Sequence, residues 1–374
     1  MSQTKASTPA LVGLACFSLV LYAVSERSLT PVHAEAYTKK LRAVAYMERA
    51  EKLIASWKEK HGIIVDPRND PDGSGVIGPQ FTLITTDRGS QAAKVLAAHP
   101  NFAAAVTQMM LQAGVREGDL VAIGMTGSLP GWNIAVYSAC RAIGADPVAI
   151  TSVGSSMFGA TDPELTWLDM EAVLAGQKLF PYRTIAASLG GGGDVGRGLS
   201  PAGRQLLADA IARNGARLLE SENLFEGVRQ RVALYDSVAT ARGKRIRLYV
   251  NIGGGVASLG GAQNARLIPA GLTFRLAARN YPNRGVLNVL AERHIPVLHL
   301  LEVEKLATRL DIKDPVTGAT ARSGGGLLFI KYKYKLWIVC LSAIAILVAN
   351  AIVLRLDLRQ QLLGQPHPER KPQP

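Results

Sequence analysis

Two uncharged apolar runs stand at opposite ends of this chain, Ala6–Ser25 and Leu336–Leu354. They contain 20 and 19 residues, close to the roughly 20 apolar residues that a helix needs to cross the hydrocarbon layer of a membrane. We therefore expect an N-terminal transmembrane anchor within residues 1–33 and a C-terminal transmembrane helix over residues 331–355. A polar tail over residues 356–374 follows the second span.

Two spans return the middle of the chain to one side of the membrane, so the large body between them faces a single compartment. A short N-terminal tail that carries Lys5 favours a cytoplasmic terminus, and the tail after the second span is also basic. We therefore expect an extracytoplasmic body, although Lys331, Lys333 and Lys335 on the body side oppose this orientation. The sequence Val32-His33-Ala34 leaves a cleaved signal peptide as the alternative to an N-terminal anchor.

The region between the spans begins with a helical pattern and a turn-rich segment. Residues 34–62 contain no proline and no glycine before Gly62, and they predict one amphipathic helix, either a stalk or the first layer of the body. Residues 63–80 are rich in glycine and proline and predict a connector. Residues 81–330 then form the body, as one large domain or two lobes.

Short β-rich runs alternate with helical stretches along this body. The predicted strands are Phe81–Thr86, Leu120–Met125, Pro147–Ser152, Thr184–Leu189, Arg247–Ile252 and Val297–Leu301. This alternation predicts an α/β fold with a mostly parallel, doubly wound sheet, flanked by one transmembrane helix at each end of the chain.

Helix boundaries are predicted at several turns. Asp162-Pro163-Glu164 and Ser200-Pro201 each place a capping side chain before a proline, and Gly215 is expected to end the second of these helices.

Composition adds two constraints on chemistry. Cys140 is the one cysteine of the body, so we expect neither an internal disulfide framework nor a metal site built on several thiolates. The chain carries a net charge of +13, and the five basic and two acidic residues outside positions 26–335 leave the body at +10. A positive field of this size attracts polyanions or anionic headgroups, although it is also typical of a solvated basic surface.

In a doubly wound sheet, ligands bind beyond the carboxyl ends of the strands, so the loops that follow the predicted strands are candidate sites. The first loop contains Thr126, Gly127, Ser128 and Asn133 and leads into a helix. Glycines there let backbone N–H groups approach an anion, and the hydroxyls add donors. The alternative is a tight strand-to-helix turn in which Ser128 caps the helix.

Three further loops carry similar residues. Ser155 and Ser156 follow the next strand, and Gly253 and Gly254 follow the strand that ends at Ile252. A glycine-rich loop holds the candidates Gly192, Gly193, Asp194 and Arg197. It contains a formal G-x-G-x-x-G, but Ser200-Pro201 delays the next helix, so we expect a loop that carries Asp194 and Arg197 to a ligand, or a plain connector, rather than a dinucleotide site.

The sequence lacks the motifs of several familiar enzyme classes. The chain has no G-x-x-x-x-G-K-[ST] phosphate loop, no G-x-S-x-G elbow and no H-E-x-x-H helix. We predict no metal and no cofactor. His294 or His299 could serve Ser128 as a general base, but a structural histidine is the simpler interpretation.

The loop sequences resemble one bacterial family. The resemblance is carried by Thr126-Gly127-Ser128-Leu129-Pro130-Gly131-Trp132-Asn133, by Thr151-Ser152-Val153-Gly154-Ser155-Ser156, by the Gly190–Asp194 loop and by Asn251-Ile252-Gly253-Gly254-Gly255. Together with the apolar segments at both ends, they resemble the poly-γ-glutamate system protein family over nearly the whole chain.

The resemblance implies a membrane-associated accessory of poly-γ-glutamate synthesis and export at the bacterial inner membrane, beside a ligase subunit and a membrane subunit of the synthase. It transfers no catalytic residue. A basic body could hold this polymer, because every unit of it carries a carboxylate.

Two other functions remain open. One is a γ-glutamyl transferase or hydrolase with Ser128 or Ser155 as nucleophile. The other is a phosphosugar-binding sensor, since residues around the Thr-Gly-Ser turn are similar to sugar-isomerase-type domains. Nucleic-acid binding is not expected, because the basic segments lack interleaved aromatic residues.

Overall fold

The structure, a computed structural model, describes residues 8–313 and 319–363. The helices are α1 (Thr8–Glu26), α2 (Tyr37–Lys60), α3 (Gln91–Ala97), α4 (Asn101–Gln112), α5 (Pro130–Ile143), α6 (Trp167–Gly176), α7 (Pro201–Arg213), α8 (Leu224–Ala241), α9 (Val256–Leu259), α10 (Val286–Glu292), α11 (Val303–Arg309) and α12 (Leu336–Leu363). The strands are β1 (Thr30–His33), β2 (Thr85–Asp87), β3 (Leu120–Thr126), β4 (Asp146–Ser152), β5 (Ser155–Ser156), β6 (Ala186–Ser188), β7 (Arg217–Leu218), β8 (Ile246–Ile252), β9 (Gly271–Thr273), β10 (Val297–Leu300) and β11 (Ile330–Lys333).

The chain divides into two compact units: Ala34–Phe329, and the two terminal segments, of which the structure describes residues 8–33 and 330–363. In the terminal unit, β1 pairs antiparallel with β11, and α1 contacts α12. Tyr334 donates its hydroxyl hydrogen to Glu26 Oε1 at 2.7 Å. The helical segments Thr8–Glu26 and Leu336–Arg355 are long and apolar enough to span a membrane, by length and composition, and almost none of their residues are fully buried.

Helix α12 continues to Leu363, into the predicted polar tail. The remainder of that tail, 364–374, lies outside the described residues.

The larger unit is an α/β body built on a seven-stranded sheet in the order β7-β6-β4-β3-β8-β10-β9. All neighbouring strands run parallel except β10 and β9, which run antiparallel. The prediction of a mostly parallel sheet is confirmed, and five of the six predicted strands lie in it. Each of these five strands begins and ends within about two residues of its predicted bounds.

Both faces of the sheet are buried, as the near-continuous apolar sequence of the central strands requires. Along β3, Val121, Ile123 and Met125 pack into one hydrophobic cluster, whereas Leu120 and Ala122 pack into a second. Helices α2, α4 and α5 contribute to the first cluster, and α8 and α10 contribute to the second.

Helix α2 belongs to the body and is not a stalk. Ala43, Met47, Ala50 and Ile54 recur at helical spacing and are fully buried. They pack where α2 contacts α4 and α5. The stripe therefore forms the first layer of the body. The helix ends at Lys60, and Gly62, two residues farther on, has a φ of +70°.

One strand prediction is confirmed only at its end. Residues 81–84 lie in no strand, because Thr85 Oγ1 accepts the Thr82 N–H at 2.9 Å and closes a local turn. The strand β2 begins at Thr85 and pairs with β5 in a separate two-stranded sheet.

One helix boundary is wrong, whereas the other is confirmed. Asp162 Oδ1 accepts the Glu164 N–H in a turn, and α6 begins later, where Thr166 and Asp169 form a capping box. Helix α7 starts at Pro201 with Ser200 as its N-cap, as predicted, and Gly215 lies two residues beyond its end.

Candidate functional site

The chain order of the strands reverses between β3 and β8, since β4 and β6 lie on one side of β3 whereas β8 and β10 lie on the other. At such a point the loops beyond the carboxyl ends of the strands turn away from each other and leave a crevice. A cavity of about 620 Å³ occupies this position. We call it the cleft, and it is lined by the loops after β2, β3, β4, β6, β8 and β10.

Most of the site residues predicted from the sequence meet in this cleft. Those that line it are Thr126, Ser128, Ser156, Gly192, Asp194, Arg197, Gly253 and Gly254. Those that do not line it are Gly127, Asn133, Ser155 and Gly193. The four separate loops therefore share one space.

Two glycines explain why the loops approach so closely. A Cβ atom on Gly127 would overlap the Val153 carbonyl oxygen, and a Cβ atom on Gly253 would overlap Thr126 Oγ1. Gly253 also has a φ of +82°, which L side chains rarely adopt. Glycine thus lets the turns after β3, β4 and β8 touch.

Asp194 was expected to reach a ligand, but its carboxylate is occupied within the protein. Its carboxylate accepts the Ser152 and Ser188 hydroxyls at 2.7 and 2.9 Å and forms an ion pair with Arg231 at 2.6 Å. All four side chains are buried, and Asp194 adopts a φ of +67°. The carboxylate fastens the glycine-rich loop to the ends of β4 and β6, so it is not a free ligand-binding group.

Asn133 and Ser155 likewise support the walls of the cleft. Asn133 lies inside α5 and donates to the Thr126 carbonyl oxygen at 2.9 Å. Ser155 Oγ is fully buried and donates to the Gly127 and Ser156 carbonyl oxygens at 3.0 and 2.8 Å. Ser155 is therefore not accessible as a nucleophile.

Ser128 lines the cleft without capping α5. The N-cap of that helix is Leu129, and no side-chain hydrogen bond caps it. Ser128 Oγ instead accepts the Ser156 N–H at 3.0 Å, which joins the turn after β3 to the strand β5.

Lys94 is a site residue that the sequence analysis missed. The pairing of β2 with β5 carries the following helix α3 over the cleft, so that Lys94 Nζ donates to Ser156 Oγ at 2.8 Å and to the Ser128 carbonyl oxygen. The side chain is 6% exposed, and burial lowers the pKa of the Lys94 ammonium to about 8. A lysine in a helix with an apolar neighbour on each side carries no sequence signal for such a role.

The charge of the cleft is positive. Arg88 and Arg197 are exposed on its lining, and among the described residues neither they nor Lys94 form an ion pair. Asp194 is neutralised by Arg231, so Asp87 is the carboxylate of the lining that has no cationic partner within the described part of the chain. Three cations against one such carboxylate favour an anionic ligand.

The floor of the cleft offers hydroxyl and backbone groups. Thr126 Oγ1 is buried and has no hydrogen-bond partner in the part of the chain that the structure describes. The lining also contains backbone groups that no side chain covers, at Gly190, Gly191 and Gly255. Together these groups can donate to the oxygens of a carboxylate or phosphate.

The histidines do not act on Ser128. His299 is buried in β10, where its Nδ1 lies 2.8 Å from Asn251 Nδ2, and burial lowers its pKa to about 4. His294 lines a different cavity, at the other ends of the strands. Within the described residues, no group of three or more His, Cys, Asp or Glu side chains is placed to hold a metal ion.

Comparisons with protein-family models, with curated proteins and with solved structures find no match for this chain.

Proposed function

We propose that this protein is a membrane-anchored accessory of poly-γ-glutamate synthesis or export, and that its cleft binds the polymer or a glutamate-like anion. The observation that carries the proposal is the convergence of glycine and serine loops on one cleft whose unpaired charges are mainly positive. In this proposal the body is a doubly wound α/β domain, and α1 and α12 flank it as transmembrane helices.

The chemistry of the ligand follows from the cleft. Guanidinium groups of Arg88 and Arg197 can each hold a carboxylate through two parallel hydrogen bonds, whereas the Lys94 ammonium binds as a point charge. A γ-linked glutamate chain presents one α-carboxylate per unit. A short stretch of polymer can therefore contact two or three of these cations at once.

The membrane part of the proposal rests on the two apolar helices and on the resemblance of the loops to the poly-γ-glutamate family. We propose the bacterial inner membrane, with the body on the extracytoplasmic side, where an exported polymer emerges. The ligase and membrane subunits of the synthase are the proposed protein partners, and no nucleic acid is involved.

Binding can be measured by isothermal titration calorimetry on the full chain in lipid nanodiscs, with γ-linked glutamate oligomers as the titrant. We expect Arg88→Gln combined with Arg197→Gln to weaken binding by about tenfold or more, because each loses a charge-assisted hydrogen bond. Rising NaCl should weaken wild-type binding further. The control is Arg229→Gln, which removes an exposed arginine of α8 that does not line the cleft.

The same titration separates the competing ligands. Oligomers of α-linked glutamate test whether the cleft recognises the γ-linkage, and glucose 6-phosphate tests the phosphosugar alternative. No binding of γ-linked oligomers, or equal weakening by Arg229→Gln, would reject the proposal.

A further inference from the structure

Ser156 and Lys94 form a side-chain pair inside the cleft. Lys94 Nζ lies 2.8 Å from Ser156 Oγ, although the two residues are 62 positions apart in the chain. Ser156 is part of β5, and Lys94 projects from α3. Their distance is that of a nucleophile and its base in hydrogen-bond contact.

The surroundings hold the pair in place. The Ser156 N–H is bound by Ser128 Oγ at 3.0 Å, and Lys94 Nζ is also bound by the Ser128 carbonyl oxygen. A Cβ atom on Gly89 would lie 3.2 Å from Ser156 Oγ and 3.3 Å from Lys94 Cε. Glycine at that position therefore leaves space on one side of the pair.

Lys94 is suited to exchange a proton. It is buried at the edge of the cleft, and among the described residues no carboxylate holds its charge by an ion pair. Desolvation without a counter-ion favours the neutral amine, which is the form that can accept a proton. This agrees with a pKa lowered to about 8.

We propose that the cleft is an acyl-transfer centre in which Ser156 is the nucleophile and Lys94 its general base, acting on a γ-glutamyl amide. The substrate class rests on the proposed function, whereas the pair itself does not. The assignment differs from the two serines that the sequence suggested, because Ser155 Oγ is buried and Ser128 Oγ contacts a backbone N–H and not a base.

The reaction balances with groups of the chain and the substrate. Ser156 Oγ attacks the amide carbonyl carbon while its proton passes to the neutral Lys94 amine. The carbon–nitrogen bond then breaks, and Lys94 returns the proton to the leaving nitrogen. The resulting Ser156 ester is opened by water, which completes hydrolysis, or by the amine of a second chain, which completes transfer.

The test uses the full chain in detergent micelles and a fluorophosphonate, which phosphonylates an activated serine with loss of fluoride. Intact-mass and peptide mass spectrometry locate the adduct. We expect one adduct on Ser156, none on Ser156→Ala, and labelling at least tenfold slower for Lys94→Met. Ser237→Ala and Lys52→Met, which remove exposed residues of α8 and α2, should label at the wild-type rate.

The pH profile supplies a second readout. Because only neutral Lys94 accepts the proton, the labelling rate of the wild-type chain should rise through about pH 8 and then level off. Lys94→Met should lose this rise.

Two results would overturn the proposal: a wild-type chain that forms no Ser156 adduct, or Lys94→Met that labels as fast as wild type. Melting temperatures of the same variants identify a folding defect. Because Ser156→Ala retains every cation of the cleft, γ-linked oligomers should still bind to it. A wild-type chain that does not bind γ-linked oligomers would reject the proposed function. A wild-type chain that binds them but forms no Ser156 adduct would reject only the acyl-transfer centre.

Discussion

Arg231 and Asp194 are removed from water almost completely, at 6% and 3% exposure. A buried pair of this kind adds little net stability, because desolvation offsets the attraction, but removal of one partner leaves the other charged and unsatisfied. Ser152 and Ser188 complete the hydrogen bonds of the carboxylate. The pair therefore specifies where the glycine-rich loop attaches to the sheet.

We expect Asp194→Asn to lower the free energy of unfolding by ~3–5 kcal/mol, since the Arg231 guanidinium then has no counter-charge. Chemical unfolding of the full chain in detergent, followed by tryptophan fluorescence, measures the change. The matched control is Asp236→Asn, which breaks the half-exposed pair with Arg293 and should cost about 1 kcal/mol or less. Equal losses in the two variants would show that burial of the Asp194 pair has no energetic consequence.

Among the elements, β3 and its following turn set the geometry of the cleft. The turn passes so close to the loop after β4 that Gly127 N donates to the Ser152 carbonyl oxygen at 3.0 Å, and the Gly127 carbonyl oxygen accepts the Ala160 N–H at 2.8 Å. Backbone-to-backbone contact on both sides leaves no room for a side chain.

We expect Gly127→Ala to lower the free energy of unfolding by ~1–3 kcal/mol, because its methyl group overlaps the Val153 carbonyl oxygen and forces the two loops apart. It should also weaken binding of γ-linked oligomers. Gly254→Ala is the control for stability, since a Cβ atom there meets nothing within 4 Å and its φ is not positive. Melting temperatures compare the two variants, and calorimetry measures binding by Gly127→Ala. A Gly127→Ala chain that matches Gly254→Ala in stability would contradict the packing argument.

For the whole molecule, the division into two units separates the apolar helices from the α/β body. The surface of α1 and of the first part of α12, 336–354, is mainly apolar and exposed, with Leu19, Tyr22, Leu336 and Leu347 each above 60%. Exposed apolar surface of this extent is unfavourable in water but favourable in the hydrocarbon layer of a membrane.

We expect the full chain to remain with membranes after alkaline carbonate extraction, whereas a chain limited to residues 34–329 should be soluble. The truncated body should keep its melting temperature, because both hydrophobic clusters consist of residues within it. Release of the full chain by carbonate would show that these helices do not span a membrane.

The strands β3, β4, β8 and β10 could be found from the sequence, because apolar runs bounded by glycine and polar residues reflect local preference and burial on both sheet faces. The three-residue strand β6 was also found, because it lies within the longer β-rich run Thr184–Leu189. The strands β5, β7 and β9 could not be found, since two or three residues alone carry no period. Their pairing depends on neighbours far along the chain. The prediction at Phe81–Thr86 is right only for Thr85 and Thr86, because a threonine turn competes with extended backbone in the residues before them.

The loops of the cleft were identifiable as candidates because glycine and serine after a strand are local features. Their meeting in one space was decided by strand order, which places the carboxyl ends of β3 and β8 side by side. Lys94 and Arg231 acquire their roles from burial and from partners dozens of residues away, Ser156 and Asp194. Residue type and spacing thus predict the longer strands and the net charge, whereas long-range packing determines which charges are paired and which are free to meet a ligand.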